Sequence, residues 1–580
     1  MVDLAIRDGI LVDGTGAPPQ PGTDVLVEGG RIVRVGRRLG GRARREIAAD
    51  GLLITPGFVD NHTHYDGQAT WDDELAPSVW HGVTTVVMGN CGVGFAPARR
   101  DQHELLIELM EGVEDIPGSA LAEGITWDWE SFPEYVDALD RTPRTMDVAT
   151  HLAHSPLRTY VMGERGARNE APTADDLAMM ARLVTEAIRS GALGVSSSRT
   201  MLHRAPDRSL VPGTLAEVDE ISALAGGIAA AGFGIFEVAS DVGINSTVDD
   251  AFAADLDWMI DLSATTGLPV TYPLLQNDRR PELWREILDR TESGRDRGAR
   301  VVALTAGRPG GILLGLSTSL HPFLGHPAYQ PIKDLPLAAK VAELRRPDVR
   351  ALILSERSRF ASEFARDVSV GFWKMFPMGD PPDYEPAAED SVEARAARLG
   401  VSPAELCYDL LLEDDGRSFL FFPMGDFAHR SLDSLYERLQ RPGTLLSLGD
   451  GGAHCRLISD ASVFTYMLTY WARDRAKGPQ LSVERAVQLM TSSSADLYRL
   501  YDRGVVAPGR RADLNVIDHS RLRFGPPRMV ADLPAGGERL LQEATGYVAT
   551  ICGGEITVDN GEITDCRPGR VVRGPRPEPT

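Results

Sequence analysis

The chain has 580 residues, and its 60 basic and 83 acidic side chains give a formal net charge of −23 at pH 7. This charge disfavours nucleic acids and anionic membranes as partners. No apolar run approaches the roughly 18 residues that a membrane-spanning helix needs, and the first residues lack the pattern of a signal sequence, so we expect a cytoplasmic protein. The five cysteines are widely scattered, which argues against a disulfide framework.

The two ends of the chain share a sequence pattern that is typical of short β-strands. Short apolar segments separated by glycine-containing turns occur at 4–12, 24–28, 31–35, 504–518 and 550–563. Such segments predict short strands. We therefore expect both termini to build one small β-sandwich, in which residues 1–56 form the N-terminal part and residues 501–580 form the C-terminal part.

Between the termini, apolar runs alternate with amphipathic helical stretches, which favours βα repeats and a parallel sheet. Eight strand candidates lie at 52–59, 83–88, 146–150, 192–195, 233–238, 269–272, 301–304 and 445–448. Because eight parallel strands close a barrel, the sequence predicts an α/β protein with a TIM-like (β/α)8 barrel over residues 57–500. A helix is expected at 174–189, and a long insertion at about 340–440 separates strands seven and eight.

Chemically versatile side chains follow three of the predicted strands. His62 and His64 stand two residues apart at the end of strand one, so both imidazoles point to the same side. Cys91 follows strand two, and Asp450 follows strand eight between glycines. These strand ends meet at one face of a parallel barrel, and two neutral imidazoles there suggest a metal. The alternatives are turn or loop histidines and an ordinary turn aspartate.

Other polar residues at the same rim are candidates for substrate binding. Arg199 and Arg308 are placed to pair with a substrate carboxylate, although an ordinary ion pair is the alternative for each. His151 follows strand three and is the third candidate. For His151 and its neighbour His154, a supporting or structural role is favoured over metal binding.

Two further histidine-containing segments leave two interpretations open. His454 and Cys455 are close enough in sequence to Asp450 to form an alternative metal pair, although the turn after strand eight is expected to carry them away from the rim. His321 and His326 belong to an aromatic, proline-rich loop after strand seven. That loop is either a structured connection or a lid that lines the substrate pocket.

Four motifs of the chain belong together: Pro-Gly-Phe-Val-Asp-Asn-His-Thr-His at 56–64, Gly-Asn-Cys-Gly at 89–92, Gly-Ala-Leu-Gly-Val-Ser at 191–196 and Pro-Gly-Arg-Arg-Ala-Asp-Leu at 508–514. In combination they resemble the amidohydrolase superfamily, and within it the D-aminoacylases, or N-acyl-D-amino-acid deacylases. Asn-Cys-Gly is the most specific mark of the resemblance. A cysteine stands there where other amidohydrolases use a carboxylated lysine, and the first lysine of this chain is Lys333.

The resemblance implies a (β/α)8 barrel with a β-sandwich from both termini, and zinc at a position formed by His62, His64, Cys91 and Asp450. In the D-aminoacylases, a second metal position uses histidines after strands five and six. The corresponding segments here, 235–241 and 269–276, contain none. Glu237 or Asp241, or a histidine from elsewhere, would have to fill that position, so we favour one zinc ion per chain.

The expected activity is hydrolysis of a C–N amide bond by metal-activated water, as in deacylation of an N-acyl amino acid, with the D-form as one option. Asp450 would take a proton from water and pass it to the leaving nitrogen. Gln276 stands where the family has a lysine after strand six, which puts the usual recognition of a D-amino-acid carboxylate in question. Two alternatives stay open: a cyclic-amide hydrolase of the hydantoinase or dihydropyrimidinase type, and an inactive barrel that acts as a binding module. The expected partner is a small-molecule amide, and a homo-oligomer stays open.

Overall fold

The computed structural model describes residues 1–242, 251–360 and 362–579. Its centre consists of two sheets of parallel strands. The smaller sheet has the order Phe58–Asp60, Val83–Met88, Asp147–Thr150. The larger sheet has the order Leu152–Ala153, Gly194–Arg199, Ile235–Ser240, Pro269–Pro273, Arg300–Thr305, Thr444–Leu446. Nearly all residues of these strands are buried, as is usual for parallel sheets.

Hydrogen bonds join the edges of the two parallel sheets. At one junction, Leu193 N donates to Thr150 O at 2.9 Å. At the other, Asn61 Nδ2 donates to Leu446 O, also at 2.9 Å. The end of the first parallel strand therefore lies beside the end of the last one, and the expected α/β architecture is present.

The prediction of a single strand at 52–59 is wrong, because the chain leaves one sheet and enters another within this run. Leu53–Pro56 lies in a sheet formed by the chain termini, whereas Phe58–Asp60 is the first parallel strand. Gly57 lies at the crossing point, where a Cβ would stand 2.2 Å from Thr84 Oγ1. No side chain fits so close an approach, so the crossing requires glycine.

Both termini contribute to one nine-stranded sheet. Its strands are Val2–Leu11, Gln20–Glu28, Arg31–Gly36, Ala43–Ala48, Leu53–Pro56, Leu514–Ile517, Tyr547–Cys552, Glu555–Asp559 and Glu562–Ile563. The antiparallel pairing of Leu53–Pro56 with Leu514–Ile517 joins the N-terminal and C-terminal halves. Apolar side chains of both halves, such as Ile6 and Ile551, share one core. Two short hairpin-like pairs follow in the C-terminal part: Arg523–Phe524 with Ala544–Thr545, and Arg528–Ala531 with Glu538–Leu541.

The chain between the last two parallel strands forms a lobe with its own core. Gly311–Leu314, Leu420–Pro423 and Phe376–Pro377 build a three-stranded antiparallel sheet there. Buried side chains of the lobe, such as Ile312 and Tyr408, form a cluster separate from the core of the parallel strands. The lobe is thus a second packing unit inserted into the α/β part.

Helices surround these sheets. The α-helices are His103–Glu114, Gly118–Gly124, Phe132–Arg141, His154–Met162, Glu164–Ala167, Ala174–Ser190, Val218–Ala231, Ala251–Thr266, Leu283–Ser293, Leu337–Leu344, Pro347–Ser355, Glu363–Val370, Val392–Leu399, Pro403–Leu411, Asp433–Gln440, Val463–Tyr466, Val483–Met490 and Ser492–Leu497, and a π-helix spans Met467–Asp474. The helix expected at 174–189 is confirmed as Ala174–Ser190, and a capping box between Thr173 and Asp176 starts it. No helix in the described ranges combines the length and the apolar character that a bilayer crossing requires.

Candidate metal centre

Three residues singled out in the sequence converge on one buried point. Ligand atoms of His62, His64 and Cys91 all lie within 4.8 Å of one another. His62 Nε2 lies 3.4 Å from Cys91 Sγ. A tetrahedral zinc ion, with a Zn–S distance of about 2.3 Å and a Zn–N distance of about 2.0 Å, would hold such atoms roughly 3.5 Å apart. The spacing of these two donors therefore fits a zinc-like ion.

The Asn-Cys-Gly turn is fixed by the neighbouring strands. Cys91 has a φ of 55°, in the left-handed region that non-glycine residues rarely adopt. Its N–H donates to Glu237 Oε2 at 3.1 Å, and the N–H of Gly92 donates to Ser196 Oγ at 3.0 Å. A Cβ at position 92 would lie 2.5 Å from Ser198 N. The glycine and the two hydrogen bonds thus hold the thiol against the paired histidines.

Asp450 reaches the same site from the glycine-rich turn after the last parallel strand. Its φ is 46°, and its N–H donates to His62 O at 3.0 Å. Its Oδ1 lies 3.7 Å from His62 Nε2 and has no hydrogen-bond partner among the described residues. A Cβ at Gly449 would lie 2.1 Å from Asp60 Oδ2. Glycine at 449 therefore lets the turn pack against the first strand and carry the carboxylate to the imidazole.

Glu114 is a buried carboxylate of the site that the sequence did not indicate. It ends the helix His103–Glu114 and is 1% exposed. Its Oε1 lies 3.4 Å from His64 Nδ1, and its Oε2 lies 3.6 Å from His454 Nε2. The carboxylate therefore lies between two imidazoles, one of which belongs to the predicted metal position.

The buried carboxylates of the site have no cationic side chain to balance them. Glu237 accepts from the N–H of Cys91 through Oε2, whereas its Oε1 has no partner in the described chain. Within those same ranges, no lysine or arginine forms an ion pair with Glu114, Glu237 or Asp450. Buried carboxylates are costly without a positive charge nearby. A metal ion would supply that charge.

The protein environment also sets the protonation of these groups. Burial lowers the pKa of His62 to about 3 and that of His64 well below its ordinary value, so both imidazoles are neutral and able to bind metal. Burial raises the pKa of Glu237 to about 8. Burial, together with neighbouring carboxylates, also raises the pKa of Glu114 and of Asp450. A bound cation would oppose these last shifts, because it favours the charged carboxylates.

Two of the three candidates for substrate binding differ in how free their polar atoms are. His151 is buried close enough to His62 to influence its pKa, and neither of its ring nitrogens has a partner among the described residues. Arg199 donates to Ala216 O, and its guanidinium lies 5.2 Å from the centre of the Trp258 ring. Among the described residues, both ring nitrogens of His151 and the Nε of Arg199 are therefore buried polar atoms without a partner.

Arg308, the third candidate, is engaged with protein groups. It is buried and donates to Ser462 Oγ and Asp460 Oδ1, each at 2.8 Å, and it lies 4.0 Å over the Tyr384 ring. A substrate carboxylate would have to compete with Asp460 for it. The Gln276 side chain is similarly engaged, since it donates to one backbone carbonyl and accepts from a backbone N–H.

His154 and the His454–Cys455 pair have other partners than a metal. His154 contacts Ser197 Oγ at 2.9 Å and Glu220 Oε1 at 3.0 Å, so both ring nitrogens serve the fold. The thiol of Cys455 lies 3.7 Å from a backbone carbonyl, while the ring of His454 turns to a buried glutamate. The two residues therefore do not form a metal pair, but His454 is close enough to His62 and His64 to contribute to their lowered pKa, so the expectation that the turn carries it away from the site is wrong.

The remaining predicted residues lie in loops. His321 is buried in the inserted lobe, 4.6 Å from the centre of the Tyr329 ring, and His326 lies in the same loop. Asp241, considered for a second metal position, accepts a hydrogen bond from Met201 N at 3.1 Å. That bond ties the end of the strand Ile235–Ser240 to the preceding loop.

His203 is a second site residue that sequence reasoning missed. Its Nδ1 lies 3.0 Å from Ser198 Oγ. Burial is the main cause of the lowered pKa of His62 and His64, and the ring of His203 is near enough to add to it. It lies in an irregular loop that carries no periodic signal. Only the hydroxyl-rich strand end before it hinted at a polar site there.

Comparison with known proteins gives matches over nearly the whole chain. The amidohydrolase family matches residues 45–558. An uncharacterized protein of Mycobacterium bovis is 29% identical over 554 residues, which cover 90% of this chain and 85% of the relative. The D-aminoacylase of Alcaligenes xylosoxydans xylosoxydans is 34% identical over 195 residues, which cover 34% of this chain and 37% of that protein. The crystal structure of an N-acyl-D-glutamate deacylase from Bordetella bronchiseptica, complexed with zinc and a phosphonate inhibitor, has the same fold, with a TM-score of 0.64, 22% identity and coverage of 99% of this chain and 100% of that one.

Proposed function

Because this chain belongs to the amidohydrolase family, we propose that it hydrolyses the amide bond of an N-acyl-D-amino acid with one bound zinc ion. The observation that carries the proposal is the convergence of His62, His64 and Cys91 on one buried point beside Asp450. The names of two relatives, a D-aminoacylase and an N-acyl-D-glutamate deacylase, support the substrate class.

His62, His64 and Cys91 would hold the zinc ion, since imidazole nitrogen and thiolate sulfur are its preferred protein ligands, and Asp450 would be a fourth, looser ligand. When bound, zinc acidifies water and polarises a carbonyl oxygen. Glu114 would keep His64 in the tautomer protonated at Nδ1, because its Oε1 lies 3.4 Å from that nitrogen. Nε2 of His64 is then left with the lone pair that metal binding needs.

Asp450 is the group we assign to proton transfer. Its Oδ1 is unpartnered in the described chain and lies 3.7 Å from His62 Nε2, beside the three metal-binding side chains. From there it would accept a proton from the attacking water and donate it to the amide nitrogen as the C–N bond breaks, so that a neutral amine leaves. We assign His151 and Arg199 to substrate contact. Arg308 would contact the substrate only if its ion pair with Asp460 were broken.

The residues at the second metal position support the proposal of a single zinc ion. The strands Ile235–Ser240 and Pro269–Pro273 supply no histidine there. Glu237 points to this region, but one of its oxygens accepts from the N–H of Cys91. Asp241 is turned to the loop before it. We therefore propose that these carboxylates balance the charge of one ion and do not bind a second.

We also propose that the two parallel sheets close into one (β/α)8 barrel over residues 57–500, with residues 1–56 and 501–580 as a β-sandwich. The hydrogen bonds at the two sheet junctions, Leu193 to Thr150 and Asn61 to Leu446, support closure. In such a barrel the metal ligands would share the face formed by the carboxyl ends of the strands, where barrel enzymes carry their active sites.

The test is turnover of matched substrates by the zinc-loaded chain. Amine release from N-acetyl-D- and N-acetyl-L-amino acids is compared with ring opening of hydantoins, and His64→Asn serves as the inactive control. We expect the D-form to be cleaved at least about tenfold faster than the L-form, which corresponds to ~1.4 kcal/mol of transition-state discrimination. Ring opening of hydantoins without amine release from the N-acetyl amino acids would contradict the deacylase proposal and indicate a cyclic-amide hydrolase. No turnover of any substrate would favour a binding module.

A further inference from the structure

A polar cavity lies away from the metal centre. Its volume is about 660 Å³, within the range of small-molecule sites. Five arginines line it: Arg31, Arg503, Arg511, Arg570 and Arg576. Three carboxylates share the lining: Asp147, Asp502 and Glu578. In a chain whose net charge is −23, this arginine cavity concentrates positive charge at one place.

The arginine cavity and the metal centre lie at opposite ends of the same strand. Asp147, which lines the cavity, begins the parallel strand Asp147–Thr150. His151, which lies near the metal ligand His62, follows the other end of that strand. At about 3.3 Å per residue, Asp147 and His151 are roughly 13 Å apart along the strand. The cavity is therefore separate from the proposed reaction site.

Two of the cavity arginines are fixed in place by ion pairs. Arg503 is buried and lies 2.8 Å from Asp147 and 3.0 Å from Asp502. Arg511 lies 3.0 Å from Asp147 and 3.1 Å from Asp513. Asp147, Asp502 and Asp513 more than balance these two guanidinium charges, and the ion pairs give the cavity one well-ordered wall.

The other three arginines carry the excess charge. Arg31 donates to a backbone carbonyl at 2.9 Å, which leaves its charge unbalanced. Within the part of the chain that the structure describes, no carboxylate forms an ion pair with Arg570 or Arg576. Glu578, the remaining acid of the lining, lies 3.8 Å from Arg510 instead. Three guanidinium groups of the lining thus have no carboxylate of their own.

We propose that the arginine cavity binds a small anion of the phosphate class, either inorganic phosphate or the phosphate groups of a nucleotide. Guanidinium groups match phosphate oxygens with paired N–H donors and keep their charge at every physiological pH. The five arginines and three carboxylates of the lining leave two positive charges, which suit an ion that carries two or more negative charges. A merely structural role for Arg570 and Arg576, tying down the C-terminal segment, predicts a change in stability and none in anion binding.

The experiment is calorimetric titration of the zinc-loaded chain with inorganic phosphate, pyrophosphate and ADP. We expect saturable binding of at least one of these anions. The anion with the lowest Kd identifies the source of the phosphate group. Arg570→Gln and Arg576→Gln should each weaken binding by about 10- to 100-fold, as for the loss of a charged hydrogen bond. The matched control is Arg523→Gln, an exposed arginine outside the lining, which should leave binding unchanged.

Two results would overturn the proposal. One is the absence of saturable binding of all three anions up to about 10 mM. The other is unchanged affinity in the Arg570→Gln/Arg576→Gln double variant, whether or not its melting temperature falls, because phosphate would then be held at the zinc ion or elsewhere. Neither result depends on amide hydrolysis, so the substrate proposal is tested separately.

Discussion

Replacing Asp450 by asparagine separates proton transfer from metal binding. Asparagine keeps the shape of the side chain and tolerates the left-handed φ of 46° at this position. The backbone N–H that donates to His62 O is unchanged. The variant loses only the charge and the basic oxygen, which lies 3.7 Å from His62 Nε2. We therefore expect Asp450→Asn to fold and to keep the three-residue metal cluster.

The expected loss is confined to the chemical step. General acid–base catalysis contributes about 10²- to 10⁴-fold to rate, which corresponds to roughly 3–5 kcal/mol of barrier. We predict a fall of this size in kcat for the preferred N-acyl amino acid, with zinc content close to that of the parent protein. Steady-state amine release and elemental analysis of the same samples measure both quantities.

Asp559→Asn is the matched control, because it makes the same change on a strand of the terminal sheet. It should leave kcat and zinc content unaltered. Full activity of Asp450→Asn would refute the role of Asp450 in proton transfer. Loss of zinc in parallel with activity would contradict the assignment of Asp450 to proton transfer, since Asp450 would then act chiefly as a metal ligand.

Four further predictions address the site and the fold. Cys91→Ala should reduce bound zinc to well under half of the parent content in elemental analysis, and full retention would remove the thiolate from the ligand set. Glu114→Gln should weaken zinc about 10- to 100-fold in chelator competition, because the negative charge 3.4 Å from His64 Nδ1 is lost; unchanged affinity would contradict its placement of His64. Chelation should lower the melting temperature, since ligand at about 100 times its Kd stabilises the folded state by ~2.7 kcal/mol, and an identical melting curve would argue against metal binding. Glu385→Gln should cost about 1.5–3 kcal/mol in urea unfolding, because buried Arg475 loses one of its two charge partners, at 3.0 Å, and keeps Asp433 at 2.7 Å, whereas a loss below about 1 kcal/mol would place that pair among weak surface bridges.

The proposed metal ligands were accessible from the sequence because their spacing has a simple geometric meaning. His62 and His64 stand at i and i+2 after an apolar run, and the structure brings both to one point with Cys91. Asp450 follows another strand end and lies beside His62. In each case the end of an apolar run fixed where the side chain would emerge.

Glu114 and His203 were missed for different physical reasons. Glu114 stands four and eight residues after the buried Met110 and Leu106, so it falls on the apolar stripe of its helix, which is the signal that could have identified it. A glutamate is rarely buried in a protein, so this signal is weak. His203 lies in an irregular loop, and only the tertiary fold brings it to Ser198 and the site.

The misplaced strand at 52–59 has a related cause. Pro56-Gly57 interrupts the apolar run, and the single-strand prediction passed over this turn signal between two halves that belong to different sheets. The break occurs at Gly57, where the close approach of Thr84 leaves no room for a Cβ. Long-range pairing with the chain terminus at Leu514–Ile517 decides the first half of the run, and local periodicity carries no information on it.

The number of zinc ions per chain tests the central claim most directly. Elemental analysis of the purified, zinc-loaded protein after removal of free metal should give about one zinc per chain, as expected for a single catalytic position. A value of about two would contradict the single-metal site, and a value near zero would contradict the metal-dependent hydrolase altogether.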